Sequence, residues 1–485
     1  MDFEFDFGTM TSAAPQASSG PLYASIDGMT AQISPEECVF QVRGTDQVHV
    51  MTLDVLRAMS VMRRFATLDQ QVARIEEAIP QLKGRRDAID PVVKFLIDRG
   101  LVVMADALIG DANEEPAAAQ APVVAIRTCG RPAALERLLE SLPPGGRVLV
   151  IDDSRDDGVV SANRAVVDRF AGATHLDRAW RSRLMDHLVA AGCDESGMRT
   201  LLLPEGNGFA GGAAFNALLL LTAGERPIIL DDDMIWTLAA SPDDGAGIVR
   251  LSATTEAPIT LLQEDDSAWE PSPFAWYERL PLACGQPLAI AAGELDLDLD
   301  LDSLADQSFA AASRLLDDAT VKTVQFGYAG DAGMDTRVWL YLMDSEAASA
   351  WWADKSTYFG QLERPRVQHC HRRPQVSDIS NFTVSALDNT ELTPPTVPTE
   401  RGEDVVFNAF LRFLHPQGLN LHLPVAIAHE RDGGRPGENP DAFAPWVSRF
   451  FAEYALAHLD ECDAADPAAR LAHLAQRFDD IAAAT

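Results

Sequence analysis

The period of the apolar positions changes along the chain. From Ala24 to about Ala107, short alternating stretches around Ala31 to Val50 give way to three runs of helical spacing, Leu53 to Met62, Leu68 to Ile79 and Asp87 to Arg99. Gly100 closes the last run, and Leu101-Val102-Val103-Met104 follows as a strand. The alanine- and proline-rich stretch Glu114 to Pro122 reads as a linker. Beyond it strands and helices alternate: strands at Val123 to Thr128, Arg147 to Asp153, Met198 to Leu203 and Pro227 to Asp233, helices at Ala133 to Leu142 and Gly212 to Thr222. That alternation predicts an α/β fold built on a mostly parallel, doubly wound sheet. After Pro440 the pattern is helical, with Trp446, Phe450, Phe451 and Tyr454 spaced to pack on the main domain. The expected division is a tail without fixed structure (1–20), a small α+β domain (21–112), a linker (113–122), the sheet domain (123–431) and a helical extension (432–485). Within the sheet domain, Glu294 to Asp302 alternates acid with leucine, which favours a charged edge strand or loop over a calcium site.

Composition narrows the partners. The chain has 485 residues, 47% of them hydrophobic, and a formal net charge of -34. Length alone allows about three domains. Self-repulsion argues against nucleic acid or anionic lipid as a bulk partner, despite the local basic patch of Arg63, Arg64, Lys83, Arg85 and Arg86. Six cysteines (Cys38, Cys129, Cys193, Cys284, Cys370, Cys462) lack paired spacing, so no disulfide framework or zinc ribbon is implied and a reducing compartment fits. The acidic start Met-Asp-Phe-Glu-Phe-Asp-Phe does not resemble a signal peptide, and no apolar stretch reaches the length of a membrane span. The expectation is a cytoplasmic protein without an integral membrane segment.

Candidate chemistry gathers at strand ends. The apolar strand Pro227-Ile228-Ile229-Leu230 runs into Asp231-Asp232-Asp233. Three adjacent carboxylates repel one another, and a hard divalent ion satisfies such a group together with substrate phosphates. The competing reading is a polar turn. The first strand ends in Arg127-Thr128-Cys129-Gly130-Arg131-Pro132, where two guanidinium groups suit a base or diphosphate. The second ends in Asp152-Asp153-Ser154, acceptors suited to a nucleoside. Asn207, Gly208, Gly211, Gly212 and Asn216 open a helix whose glycines would admit a ligand to its N-terminus. Further on, Glu403 and Asp404 start a helix, and Leu423 to Ala428 is a strand ending in His429. His369, Cys370 and His371 are read as a surface or core histidine pair ahead of a metal site.

Over Pro122 to Arg431 these motifs, in this order, resemble family 2-type glycosyltransferases of the GT-A fold. The resemblance implies a nucleotide-diphosphate sugar donor, a divalent metal (Mn2+ or Mg2+) and an inverting transfer to a peptide, glycan or lipid-linked acceptor. It implies that Asp153 meets the base, that Asp231 and Asp232 with Thr128, Arg131, Gly211 and Asn216 bind the nucleotide sugar, and that Asp233 and His429 hold the metal. Asp404, beside Glu403, is implied as catalytic base. About 165 residues separate Asp233 from Arg401, more than a minimal core needs, so acceptor recognition is expected to be elaborated.

Other classes compete. Gly206-Asn207-Gly208-Phe209-Ala210-Gly211 is formally the dinucleotide fingerprint, with Asp231 about 20 residues on, and points to an oxidoreductase. Against it, two strands precede the unit and the fingerprint needs one acid rather than three. A phosphatase would carry its aspartate after the first strand, where Arg127 and Thr128 stand. An inactive glycosyltransferase-like binding protein is the third alternative. The N-terminal unit, chiefly Val92 to Val102 with its helix-Gly-Leu-strand ending, resembles PqqD-like winged-helix elements that hold precursor peptides. That resemblance implies peptide binding by strand addition at a sheet edge. The plain alternative is an accessory domain that only packs or dimerises.

Overall fold

The computed structural model of the chain describes residues 20–109, 121–206, 210–243, 245–251, 259–262, 270–272, 274–331, 343, 345–363, 366–377, 385–399, 401–431 and 447–484. All but the last residue of the expected tail, most of the linker, Asn207, Gly208 and Trp446 lie outside these residues. The chain divides into two compact units, Met1–Ala112 with Asp300–Asp318, and Asn113–Leu299 with Ala319–Thr485.

In chain order the first unit runs β1 (Leu22–Ser25), β2 (Gly28–Gln32), β3 (Glu37–Val42), β4 (Val48–Thr52), α1 (Leu53–Val61), β5 (Ala66–Thr67), α2 (Leu68–Ala78), α3 (Arg86–Asp98) and β6 (Val102–Met104). Thr52 caps α1 by accepting the Val55 N–H, and Thr67 with Gln70 forms a capping box on α2. Gly100 ends the α3 turn at φ +69°, a conformation that favours glycine. Two small sheets result, β5-β1-β6 and the meander β2-β3-β4. One face of the meander enters the core through Phe40, packed with Met59, Met62, Ile75 and Leu96. The other face, in register, carries Met29 and Ala31 from β2, Val39 from β3, and Val48 and Val50 from β4. Met29, Val48 and Val50 are exposed there. The unit is not contiguous in sequence: Phe65 N–H donates to Gln307 (2.8 Å), Phe309 N–H donates to Arg63 (3.0 Å), and Arg74 pairs with Asp306 (2.6 Å). Leu304, Ala312, Leu315 and Leu316 of this segment are buried.

The second unit opens β7 (Val123–Thr128), α4 (Pro132–Ser141), β8 (Arg147–Asp152), α5 (Asp157–Val167), β9 (Ala173–Leu176), α6 (Arg178–Ala190), α7 (Glu195–Leu202), α8 (Gly211–Leu221), β10 (Ile228–Asp231) and β11 (Met234–Ala240). Strands β9, β8, β7 and β10 lie side by side, all parallel. The sheet continues through the antiparallel strand Ala386–Leu387 to Thr320–Gly330, and then to Gly418–His429, which runs parallel to Thr320–Gly330. The class is therefore α/β, with a large mixed sheet whose first four strands are parallel. Ala125, Leu149, Ile151 and Ile229 of the sheet share a core with Phe215 and Leu218 of α8 and with Phe407 of the helix Glu403–Leu414.

One expected strand is a helix. Met198 to Leu202 lies in α7, with Leu203 as its C-cap; the N-cap Asp194 accepts the Gly197 N–H at 2.6 Å, and the third parallel strand is β9 instead. Met198, Leu201 and Leu202 recur at helical spacing, but the run Leu201-Leu202-Leu203 hides the period. The acid-leucine repeat supplies Asp298–Asp300 at the edge of the sheet, the charged edge expected of it. Helices Val447–Ala457 and Pro467–Ala484 pack on Glu403–Leu414 through Phe413, Leu414, Ala455 and Leu474, with Phe451 and Tyr454 against Phe478 at 5.0 and 5.4 Å. No helix among the described residues is long and apolar enough to cross a membrane.

Candidate active site

Strand order places the chemistry. The chain moves outward from β7 to β8 and β9, then returns to lay β10 on the other side of β7, so the order reverses between β7 and β10. Open α/β sheets bind ligands outside the carboxyl ends of strands at such a reversal. Arg127 and Asp231 are register neighbours there, as are Thr128 and Asp152.

The repulsion within the triplet is met by two arginines. Arg127 donates from Nε and Nη2 to Asp231 Oδ1 (2.8 and 2.7 Å) and from Nη1 to Glu403 Oε1 (3.1 Å), with its guanidinium 5.3 Å from the Phe215 ring centroid. Burial opposes the Arg127 charge, but Asp231, Glu403 and Asp404 outweigh it and hold the group above its ordinary range. Arg131 Nη1 lies 3.2 Å from Asp232 Oδ1 and 2.6 Å from Asp233 Oδ2. Asp232 also accepts the Thr128 hydroxyl at 2.7 Å. Burial, then the charge of Asp233, pushes the Asp232 carboxyl up to about 7 against the pull of Arg131. Thr128 and Asp232, expected at the nucleotide sugar, thus bond to each other, tying the end of β7 to the end of β10.

Asp233 and His429 come together at the opposite side of the triplet. His429 stands in antiparallel register with Met234 of β11, and Glu430 N–H donates to the Asp233 carbonyl at 2.8 Å. His429 Nδ1 lies 2.9 Å from the Asp331 carbonyl, an acceptor, so Nδ1 carries a proton. Nε2 then faces Asp233 Oδ1 at 3.3 Å. In the neutral ring that nitrogen presents a lone pair to a carboxylate, an arrangement completed by a proton or a cation between them. A histidine fixed through its other nitrogen to a backbone carbonyl is how metal-ligating imidazoles are held. The pair therefore fits a divalent ion that takes its remaining ligands from phosphate and water. Among the described residues no group of three or more His, Cys, Asp or Glu side chains is arranged to hold a metal by itself.

Glu403 and Asp404 begin their helix after Gly402, at φ +89°. Burial raises both carboxyls, Arg127 opposing the rise at Glu403 and the Val405 N–H opposing it at Asp404. Glu403 is buried against Arg127, whereas Asp404 is half-buried and accepts the Val405 N–H at 2.9 Å. Of the two, Asp404 is the more exposed.

The Asp152-Asp153-Ser154 turn is held from below. Asp152 accepts from Ser154 N (2.8 Å), Asn163 Nδ2 (3.0 Å) and His175 Nε2 (2.9 Å). Burial works against its charge, but these donors keep it below the usual carboxylate range. Asp153 Oδ1 accepts Arg178 at 2.8 Å and also Arg181, which is fully buried. Sequence reasoning missed these two arginines. The signal was Arg178-x-x-Arg181 at helical spacing after β9, the strand it had placed elsewhere.

Two expected nucleotide contacts turn inward. Asn216 donates to Thr396 O (3.0 Å) and Leu201 O (3.2 Å) and accepts the Thr396 N–H (2.8 Å), so its amide anchors the segment before Glu403. A Cβ on Gly212 would stand 1.8 Å from the Val397 carbonyl oxygen, so that glycine admits a neighbouring chain rather than a ligand. Gly211 starts α8 beside it. The element before this glycine segment is α7, a helix, so the strand that the dinucleotide fingerprint requires is not in place. His369, Cys370 and His371 are buried: the Cys370 thiol lies 3.3 Å from Val425 O, and His371 is pushed down to about 3 by burial and by His422 and His369.

No family model matches the chain. No curated protein matches it either. Among solved structures, the E. coli microcin synthetase McbBCD complex is similar at 10% identity and a TM-score of 0.12, over 32% of this chain and 59% of that one. The chain thus spans less than two thirds of that structure's length, and a score this low carries no argument about fold or activity.

Proposed function

We propose that the protein is a metal-dependent glycosyltransferase of the GT-A type, moving a sugar from a nucleotide-diphosphate donor to an acceptor with inversion. The observation that carries this reading is the gathering, at the β7/β10 order reversal, of Asp231, Asp233 and His429, with Arg127 joining Asp231 to Glu403, the chain neighbour of Asp404. Asp153 and Asp231 orient the nucleoside and ribose. Asp233 and His429 would hold Mn2+ or Mg2+, which when bound supplies Lewis-acid stabilisation of the leaving diphosphate. Asp404 takes the proton from the acceptor as its oxygen or nitrogen bonds to the anomeric carbon, and the bond from that carbon to the diphosphate oxygen breaks with its electron pair going to the diphosphate. Arg127 holds Glu403 and Asp231 aligned beside this path and opposes the rise that burial imposes on Glu403. The test is a screen of nucleotide sugars for hydrolysis and thermal stabilisation, with manganese and with chelator. A true donor at 100 times its dissociation constant adds about 2.7 kcal/mol. Failure of every nucleotide sugar, or stabilisation by nicotinamide dinucleotide alone, defeats the reading.

The acceptor we infer is an extended peptide received by the N-terminal unit. The meander has two edge strands, and the face opposite its core exposes Met29, Val48 and Val50 at 62%, 56% and 64%. A unit that only packed within its own chain has no need of that face, whereas strand addition uses an edge for main-chain bonds and such a face for alternate side chains.

A further inference from the structure

Asp233 has two cationic claims on one carboxylate. Its Oδ1 faces His429 Nε2 at 3.3 Å, the side on which a metal would bind, while its Oδ2 is held by Arg131 Nη1 at 2.6 Å. A dication at that buried carboxylate stands beside a guanidinium of like sign, so the two compete. The two arginines of the site differ in freedom. Arg127 is 11% exposed, clamped by Asp231 and Glu403 and covered by the Phe215 ring, whereas Arg131 is 33% exposed. The Arg131 backbone is fixed between Gly130, at φ +76°, and Pro132 in the first turn of α4, so its side chain can turn outward without moving the strand end.

We propose that Arg131 is a displaceable counter-cation: without donor it occupies the place of the metal charge on Asp232 and Asp233, and the donor's diphosphate draws it away, opening Asp233 to the ion. This rests on the glycosyltransferase reading and adds an order of events to it. Metal and nucleoside diphosphate then bind with positive coupling, and by linkage each raises the affinity of the other by the same factor. Removing the guanidinium has effects of opposite sign. The ion gains its ligand without competition, and the diphosphate loses a partner that recognises phosphate.

The experiment measures Mn2+ binding to the full chain by loss of the free-ion paramagnetic resonance signal, and binding of UDP and GDP by calorimetry in chelator. Wild type and Arg131→Met are compared. The variant is expected to bind Mn2+ alone at least tenfold more tightly than wild type and the nucleoside diphosphate alone at least tenfold more weakly, with the coupling between them reduced. A merely structural arginine would loosen both. Should Arg131→Met fold poorly, Arg131→Met/Asp232→Asn restores the charge balance and carries the same signed expectation. If the variant binds Mn2+ no more tightly than wild type while wild type still shows diphosphate-dependent Mn2+ binding, the displacement idea is overturned and the glycosyltransferase reading stands. If neither protein binds Mn2+ with either diphosphate, both fall.

Discussion

Replacing Asp232 with asparagine should change how stability depends on pH, in a direction set by its surroundings. The carboxyl is pushed up to about 7 from an ordinary 3.8, because it is buried beside Asp233 and only partly compensated by Arg131 and the Thr128 hydroxyl. The native state therefore binds this proton more tightly than the unfolded chain does. Its stabilising contribution is complete below about pH 4 and is lost as the pH rises through about 7. A shift from 3.8 to about 7 corresponds to at most about 4 kcal/mol at 1.36 kcal/mol per unit. The substituted amide keeps an oxygen for the Thr128 hydroxyl and cannot ionise, while Arg131 retains Asp233. Wild type should thus compare best with Asp232→Asn at the acid end of the range, and from pH 5 to pH 8 the variant should gain on wild type by about 2 to 3 kcal/mol. Urea unfolding at pH 5, 6, 7 and 8 measures the difference curve, in which groups of opposite sign such as Asp152 cancel. Parallel pH profiles for the two proteins would refute the assignment.

Asp404→Asn should leave donor affinity intact and lower transfer by about 10² to 10⁴, the usual contribution of a general base, and in wild type the acid limb of the rate profile should lie above the ordinary carboxylate range because burial raises this group. Wild-type transfer by the variant would move the role to Glu403. Gly212→Ala drives a methyl group into the Val397 carbonyl and should cost about 2 kcal/mol or more, read as a lowered melting temperature; an unchanged one would mean the segment before Glu403 is not held against α8. Val50→Asp changes an exposed side chain and should leave melting unaltered, yet reduce transfer to a peptide acceptor at limiting concentration, with rescue at saturation. Equal rates at every concentration would remove the meander from recognition. This substitution is a cleaner probe than deleting residues 1–112, because Asp300–Asp318 belongs to the same unit and would lose the partners of its buried leucines.

What was legible in the sequence is what local forces decide. Helices α1 and α2 begin after Thr52 and Thr67 because hydroxyl caps and apolar spacing agree there, and Gly100 ends α3 where only a left-handed residue fits. Strands β7, β8 and β10 were legible because each is a run of branched apolar residues buried on both faces and ended by charge. Strand β9 was not, since of its four residues only Leu176 is fully buried and His175 serves Asp152. The return of Asp300–Asp318 to the first unit depends on contacts over more than 200 positions, such as Arg74 with Asp306, which no window of sequence contains. Glycine and asparagine at 212 and 216 misled for a related reason. Both suit close approach to a helix start, and only the tertiary path of Thr396 and Val397 decides what approaches.

The triplet itself shows how far charge reasoning reaches. Adjacent carboxylates at a strand end do demand positive charge, and the sequence placed two arginines one strand away without saying that they answer the demand. Parallel register settles it for Arg127, which stands opposite Asp231. The turn after β7 settles it for Arg131, which reaches back to Asp232 and Asp233. In a chain of net charge -34 such internal pairing is what lets these carboxylates stand together at the strand ends, and it sets the condition any anionic substrate must meet. A diphosphate adds negative charge to a site whose cations are already committed. It must therefore either bring its own cation or release one of the arginines, and the more exposed of the two is the one placed to move.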